Sequence, residues 1–366
     1  MAEGRSRRKL EQYQSMRDFE ATPEPAGDVT SAAEDNHRFV IQQHDATRLH
    51  WDLRLEHDGV LASWALPRGL PWTPAQNHLA VHTEDHPLEY LEFSGDIPEG
   101  SYGAGSMFIW DRGTYEIDKY TDDKVVISLH GEKAKGKYAL FQTRGRDWLI
   151  HRMDPPEDAT REPLPDSMPL LRSEPGRLPR GDGWAFEVLW RGCRALVASS
   201  GGIVTMSDEA GEDVSASFPE VRRIGRAIGS TEVILDGVVI SPDGDASWVT
   251  RRRQVRSESA IRRQARDHPL ALMAFDVLWL DGHPVVDRPW RDRRKLLDDL
   301  GLHGPAWQAP SAHIGDGAAL LDAARAQGLA GLVAKRVDAP YKPNRRKPPW
   351  IRVDATDEPI GAGVRM

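Results

Sequence analysis

Leu49, Trp51, Leu53 and Leu55 alternate with His50, Asp52, Arg54 and Glu56. A period of two predicts a β-strand with successive side chains on opposite faces. The apolar set reads as a core stripe. The other face carries two metal-ligating residue types and an arginine in a row, which is unlike an ordinary solvated face. A preceding strand, Phe39 to His44, ends at the polar turn Asp45 to Arg48, and a hairpin that short brings His44 beside His50. From Phe39 to about Met153, short apolar runs are punctuated by turn signals such as His57-Asp58-Gly59, Asp111-Arg112-Gly113 and Lys135-Gly136-Lys137. Closely spaced strands with few helical patterns predict a β-barrel or sandwich over residues 37–153.

Further along, the pattern changes. Residues 154–182, with Pro155, Pro156, Pro163, Pro165, Pro169, Pro175 and Pro179, read as an interdomain linker. Residues 183–356 mix strands (Trp184 to Trp190, Val233 to Ile240, Leu272 to Leu280) with helices, the clearest being Ala318 to Gln327, ended by Gly328. That mixture predicts an α+β domain. Residues 1–36 read as a mobile lead-in, a short basic helical stretch followed by the polar run Thr22 to Asn36, and residues 357–366 as a tail. A length of 366 residues suits two domains.

Charge narrows the function classes. A net charge of −8 argues against coating nucleic acid nonspecifically, yet it is compatible with a local basic pocket that grips one strand end. Arg5, Arg7, Arg8 and Lys9, then Arg251 to Arg253 with Arg256, Arg262, Arg263 and Arg266, then Arg345, Arg346 and Lys347 form basic runs. Each alone reads as a solvated face or tail. The longest apolar stretches are strand-length, so no membrane span is expected, and Met1 to Arg17 lacks the apolar core of a secretory signal. A single cysteine, Cys193, excludes an internal disulfide and suits a reducing cytoplasm.

Two imidazoles and a carboxylate converging at His44, His50 and Asp52 suit a borderline divalent metal, and by ligand type zinc, manganese or iron all fit. A polar barrel face with satisfied histidines explains His50 alone better than it explains the set. In His78 to Tyr90, the residues His82, Glu84 and His86 share a face if the strand runs to Pro87. A histidine opposite the metal set suits donation to a phosphate oxygen or protonation of a leaving group, and Glu84 suits orienting an imidazole or arginine. The stretch Ile97 to Ser106, IPEGSYGAGS, permits tight turns and close approach of a ligand. No Gly-Lys-Ser/Thr follows, so it is not a Walker loop and reads as a turn at a barrel end.

Together these segments resemble the 3′-phosphoesterase domain of bacterial DNA ligase D, over roughly Tyr13 to Met153. The matching motifs are Arg17-Asp18-Phe19 with Thr22-Pro23-Glu24-Pro25, the block Phe39 to Pro67, Glu84-Asp85-His86-Pro87-Leu88, and Pro98-Glu99-Gly100 with Tyr102-Gly103-Ala104-Gly105. The resemblance implies a small β-barrel holding manganese (Mn2+). It would remove a 3′-terminal ribonucleoside from DNA or DNA–RNA primer-template ends, then the remaining 3′-phosphate. By position it implies His44, His50 and Asp52 as metal ligands, Arg54 and His86 as the phosphate-contacting pair, and Glu84 and Tyr90 as supporting residues. Implied partners are nucleic acid 3′ ends and end-joining proteins such as a Ku-like factor or a separate polymerase or ligase, with no membrane. One departure is His78, where the family usually has arginine or lysine. An imidazole lacks the fixed charge and fork of arginine, so weaker or more pH-dependent phosphate binding is expected.

The second half resembles the nucleotidyltransferase domain of ATP-dependent DNA ligases over roughly Pro169 to Asp354. The frame is visible in Trp184-Ala185-Phe186-Glu187-Val188, Ile234-Leu235-Asp236-Gly237, Phe275-Asp276-Val277-Leu278, Gly331-Leu332-Val333-Ala334-Lys335 and Trp350-Ile351-Arg352. The family's Lys-x-Asp-Gly-x-Arg motif appears as Leu189-Trp190-Arg191-Gly192-Cys193-Arg194, and a leucine cannot attack the α-phosphate of ATP. Val238 and Ala330 stand where glutamates are usual, Arg352 and Asp354 where lysines are usual, and the family's C-terminal OB-fold is expected to be absent. The expectation is a mixed fold, a β-barrel phosphoesterase followed by an α+β pseudo-ligase that binds DNA or a partner. The alternatives are an active ligase using Lys335 and a non-catalytic DNA-end or partner-binding module.

Overall fold

The computed structural model describes residues 10–27, 36–343 and 348–355. The basic runs at Arg5 to Lys9 and Arg345 to Lys347, residues 28–35 of the lead-in and the tail lie outside the described residues. The chain divides into two units between Ala159 and Thr160.

The first unit consists of β1 (Arg38–Asp45), β2 (Leu49–His57), β3 (Val60–Leu66), β4 (Asn77–His82), β5 (Gly95–Ile97), β6 (Gly105–Thr121), β7 (Lys124–Gly131), β8 (Lys135–Arg144) and β9 (Asp147–Arg152). They pair antiparallel in the order β1-β2-β3-β4-β9-β8-β7-β6, and β1 also pairs with β6, which closes an eight-stranded barrel and leaves β5 added beside β6. Closure removes the exposed edges an open sheet would present. Trp51, Leu53 and Leu55 of β2 point into the barrel beside Phe39, Ile41, Trp64 and Ile127, as the alternation predicts. The two-residue turn between β2 and β3 places both Asp58 (φ 53) and Gly59 (φ 77) in the left-handed region, the geometry of a tight hairpin.

Two expected turns lie inside strands instead. Asp111-Arg112-Gly113 falls within β6, where the Asp111 carboxylate accepts the backbone N–H groups of Glu132, Lys133 and Ala134 (3.1, 2.9 and 2.6 Å) and holds the turn between β7 and β8. Lys135-Gly136-Lys137 opens β8. A glycine serves close backbone approach as well as turns, and at Gly113 a Cβ would collide with the His130 carbonyl.

A second apolar cluster, including Tyr13, Val40, Leu61, Tyr90 and Met107, covers the outer face of the barrel. The lead-in was expected to be mobile, but residues 10–27 are part of this layer. Residues 10–15 are helical, the Tyr13 side chain is fully buried and its hydroxyl donates to the Pro25 carbonyl at 2.5 Å. The burial of an aromatic ring is what ties this otherwise polar segment down.

The second unit begins inside the Pro-rich run. Leu171 is fully buried; its N–H donates to the Tyr341 hydroxyl (2.9 Å) and its carbonyl accepts from Arg194 (2.6 Å). A seven-stranded sheet is centred on Cys193–Ser200, Val233–Ile240 and Ala271–Leu280, and a five-stranded sheet on Trp184–Val188, Gly331–Arg336 and Trp350–Asp354. The predicted last helix spans Ala318–Ala326, with Gly328 at φ 67 just beyond it.

Candidate metal centre

Antiparallel pairing sets His44 directly opposite His50 and Gln42 opposite Asp52, on the outer face of the barrel. Ligand atoms of His44, His50 and Asp52 all lie within 4.8 Å of one another. His44 Nδ1 and His50 Nε2 approach the Asp52 carboxylate at 3.6 and 3.5 Å. The other nitrogen of each ring faces a backbone carbonyl: His44 Nε2 donates to Gly103 (2.9 Å) and His50 Nδ1 to Arg48 (2.9 Å). A carbonyl only accepts, so those nitrogens carry hydrogens, and the second nitrogen of each ring faces Asp52. Outer hydrogen bonds that fix the tautomer are what a metal-binding imidazole requires.

Burial by itself would raise the Asp52 carboxyl, but the Arg54 guanidinium, with His44 and His50, holds it well below the usual carboxylate range. Arg54 is buried and held on three sides, donating to Gln42 (2.7 Å), Ser63 (3.0 Å) and Asp52 (2.9 Å) over the Tyr90 ring at 4.8 Å.

Beside this lies a second cluster. Arg17 donates to Glu24 (2.7 Å) and, through two nitrogens, to Glu84 (both 3.1 Å). His86 Nδ1–H donates to the Glu84 carbonyl (2.8 Å), so Nε2 accepts from Arg17 at 3.2 Å. Burial, then the Arg54 and Arg17 guanidiniums, push the His86 imidazole well below its ordinary value, and it is neutral. The Tyr90 hydroxyl donates to Glu24, and its ring packs edge-on against His86 at 4.7 Å.

The structure therefore brings together His44, His50, Asp52, Arg54, Glu84, His86 and Tyr90. His78 does not join them. Asp52 pairs with Ala65 and Ala65 with Val81, so the site face of β4 carries Val81, and His78 points the other way with Ala80. Its Nδ1 donates to the Gly69 carbonyl at 2.9 Å. The phosphate role expected for His78 is corrected on that ground. His82 is corrected likewise: β4 stops there, its ring lies between Trp64 and Trp148 (5.1 and 5.7 Å), and the chain turns before Glu84 and His86. Arg17, Glu24 and Gln42 were not read as site residues. Arg17 and Glu24 did stand in matched motifs, which was the available signal, whereas nothing local marks Gln42.

In the second unit, charged groups close on one another. Arg194 donates to both oxygens of Asp236 (3.1 and 2.8 Å), which also accepts from the Tyr341 hydroxyl at 2.7 Å. Arg293 grips Asp276 in the same bidentate way (2.8 and 2.9 Å). Lys335 is 1 % exposed, 2.8 Å from Glu187, and donates to the Phe275 carbonyl at 3.0 Å. Leu189 lies just beyond the strand Trp184–Val188, and its N–H donates to the Gly331 carbonyl at 2.8 Å.

Residues 42–142 match the family described as the DNA ligase D 3′-phosphoesterase domain, and residues 176–353 match the ATP-dependent DNA ligase domain. The chain thus carries a phosphoesterase domain of the DNA ligase D type followed by a domain of the ATP-dependent DNA ligase type. The multifunctional non-homologous end joining protein LigD of Mycolicibacterium smegmatis is 40 % identical over 98 % of this chain, which covers 47 % of that protein. The LigD of Pseudomonas aeruginosa is 29 % identical over 95 % of this chain, covering 47 % of its length. The chain thus spans about half the length of the curated LigD relatives it matches. A crystal structure of the ligase domain of Mycobacterium tuberculosis LigD aligns at 32 % identity with a TM-score of 0.43, covering 51 % of this chain and 60 % of that one. Relative to the DNA ligase D phosphoesterase, both clusters on the barrel face lie within or beside the matched residues, with Arg17 and Glu24 preceding them.

Proposed function

We propose that the first unit is a metal-dependent 3′-end-processing phosphoesterase of DNA repair. It removes a 3′-terminal ribonucleoside and then the 3′-phosphate, leaving a 3′-hydroxyl. The observation that carries this reading is the pair of imidazole tautomers, held by the Gly103 and Arg48 carbonyls, converging on an ionised Asp52. Two nitrogen donors and one carboxylate oxygen fit a borderline divalent cation, and the family resemblance favours manganese. When bound, the cation would supply Lewis-acid polarisation of a phosphoryl oxygen.

The chain's own residues do the rest. Arg54, fixed by Gln42, Ser63 and Asp52, presents an oriented positive charge to an incoming phosphate. With Nδ1–H committed to the Glu84 carbonyl, the nitrogen of His86 that can turn to substrate is Nε2, which in the resting site accepts from Arg17. An entering phosphate raises that imidazole's proton affinity, and the protonated ring donates to it. Glu84 and Glu24 position Arg17, and Tyr90 holds Glu24 while its ring lies against Arg54. His78 has no part.

We read the second unit as a pseudo-ligase that binds DNA or a partner. Leu189 replaces the nucleophile the resemblance requires, and Lys335, the candidate in an active-ligase reading, is enclosed by Glu187 and the Phe275 carbonyl. The setting proposed is end joining in a bacterial cytoplasm, with a Ku-like factor or a separate polymerase or ligase as partner. The relatives' end-joining names and the lone buried Cys193 support it.

The test is end trimming of a primer-template bearing one 3′-ribonucleotide, with manganese, zinc, iron and magnesium each supplied. Loss of one nucleoside followed by loss of phosphate is expected, and chelation should stop both. No product with any metal would remove the reading.

A further inference from the structure

The glycine-rich stretch read as a simple turn lies on top of the candidate site. Ser101 N–H donates to the Pro98 carbonyl (3.1 Å) and Ala104 N–H to Ser101 (3.2 Å), so the loop is two successive turns. It is fastened at both sides of its tip. Gly103 accepts the hydrogen of His44, and Gly105 (φ 145) presses on the backbone of Asp45 and Ala46, where any Cβ would collide. Between those fastenings the loop presents Tyr102, whose side chain is 43 % exposed. Its hydroxyl reaches Glu84 Oε2 at 3.5 Å, and its ring is 5.3 Å from the Arg17 guanidinium.

Tyr102 therefore stands where the loop touching the metal triad meets the Glu84–Arg17–His86 cluster. Tyr13, Tyr90 and Trp51 are fully buried, whereas Tyr102 keeps nearly half its surface open. An exposed aromatic on a fastened loop loses little freedom when a second flat ring is laid on it, and base–aromatic stacking tolerates any base. A leaving nucleoside carries such a ring. A bare 3′-phosphate does not.

We propose that Tyr102 is the stacking platform for the 3′-terminal nucleoside, a positioning residue that sets specificity for nucleoside removal over phosphate removal. This rests on the phosphoesterase reading above. It predicts that the two activities respond differently to the same substitution, because only one substrate has a base beyond the scissile phosphate.

The experiment uses the full chain with manganese and two primer-templates, one ending in a ribonucleoside and one in a 3′-phosphate. For Tyr102→Ala, KM for nucleoside removal should rise ~10-fold, in line with the loss of one base stack, with kcat little changed. Phosphate removal should stay within about two-fold, since no stack is lost there. Tyr102→Phe keeps the ring and should behave as wild type on both. On the unaltered protein, a terminal ribose lacking its base should raise KM as Tyr102→Ala does. Equal loss of both activities in Tyr102→Ala would overturn the inference, since it would mean that the loop acts only through Gly103 and His44. So would an unchanged KM for nucleoside removal, or an abasic end processed as well as a normal one. Wild type inactive on both primers under every metal would overturn the phosphoesterase reading itself, and this inference with it.

Discussion

In the barrel, Asp52 gives one oxygen to Arg54 while a ring nitrogen of each of two imidazoles faces its carboxylate. In the second unit, Asp236 is taken up by Arg194 and Tyr341, Asp276 by Arg293, and Glu187 by Lys335. Both units bury charge, and both satisfy the rule that a buried charge needs a partner. Among the described residues, the barrel alone brings three potential metal-ligand atoms of His and Asp side chains within 4.8 Å of one another. Two imidazole nitrogens converging on a carboxylate form a candidate ligand set, whereas bidentate arginine–carboxylate pairs form a closed structural lattice. Buried charge alone therefore does not mark a catalytic centre. The convergence of ligand atoms does.

The largest expected effect breaks the barrel side of this comparison. Asp52→Ala or His50→Ala should reduce nucleoside and phosphate removal by roughly 1,000-fold or more, because a Lewis-acid metal contributes several kcal/mol. Metal content of the purified variants, measured beside the two rates, checks it. Near-normal activity with either variant would sink the metal-site reading.

The second prediction is all-or-none and concerns the other unit. Neither the wild type nor Leu189→Lys should acquire label from radioactive ATP and magnesium after denaturation. A new lysine at 189 still lacks carboxylates at Val238 and Ala330, and Asp354, 3.3 Å from Arg352, stands where a lysine would favour a triphosphate. Label on the wild type would mean that the lattice conceals a working ligase. Label on the variant alone would mean that the pocket is intact.

Next in size is a stability effect confined to the second unit. Arg293→Leu strands Asp276 as a buried, uncompensated charge, and breaking such a pair costs about 3–5 kcal/mol. Both partners are 1 % exposed, so solvent gives little relief. Denaturant unfolding should show the loss while end trimming by the barrel stays at the wild-type rate. A parallel loss of trimming would show that the two units are not independent.

The smallest effect sharpens the account of the barrel's neutral imidazole. Burial, with Arg54 and Arg17, depresses His86 below the ordinary value of 6.5. Between that value and the lower folded one, the unfolded chain binds a proton that the folded chain refuses. The stability this contributes is complete above about pH 6.5 and is lost as pH falls towards the folded value. Unfolding free energies at several pH values below neutrality should therefore slope less steeply in His86→Asn than in wild type. Identical slopes would argue against a buried neutral ring.

Much of the architecture was legible along the chain. Alternation in β2 identified the apolar stripe and its opposite face, the short turn predicted His44 beside His50, and the last helix was located to within a residue. Turn signals were less reliable. Asp111 and Gly113 are turn-forming residue types that serve here to let one long strand approach its neighbours closely. Within β4, knowing the strand did not reveal which of its faces looked at the site, so His78 and His82 were read onto the wrong one.

What the sequence by itself determined are the local periodicities. A period of two fixes which side chains in a strand share a face, because the pleat reverses at every residue. That sufficed for His50, Asp52 and Arg54, which lie on one uninterrupted strand. Only the tertiary structure decided the rest. Arg17 reaches Glu84 across 67 residues, and two backbone carbonyls, those of Gly103 and Arg48, orient the imidazole rings. A backbone carbonyl is present at every residue, so which one meets a given ring depends on how the barrel closes and where its loops come to rest, and no local pattern encodes that.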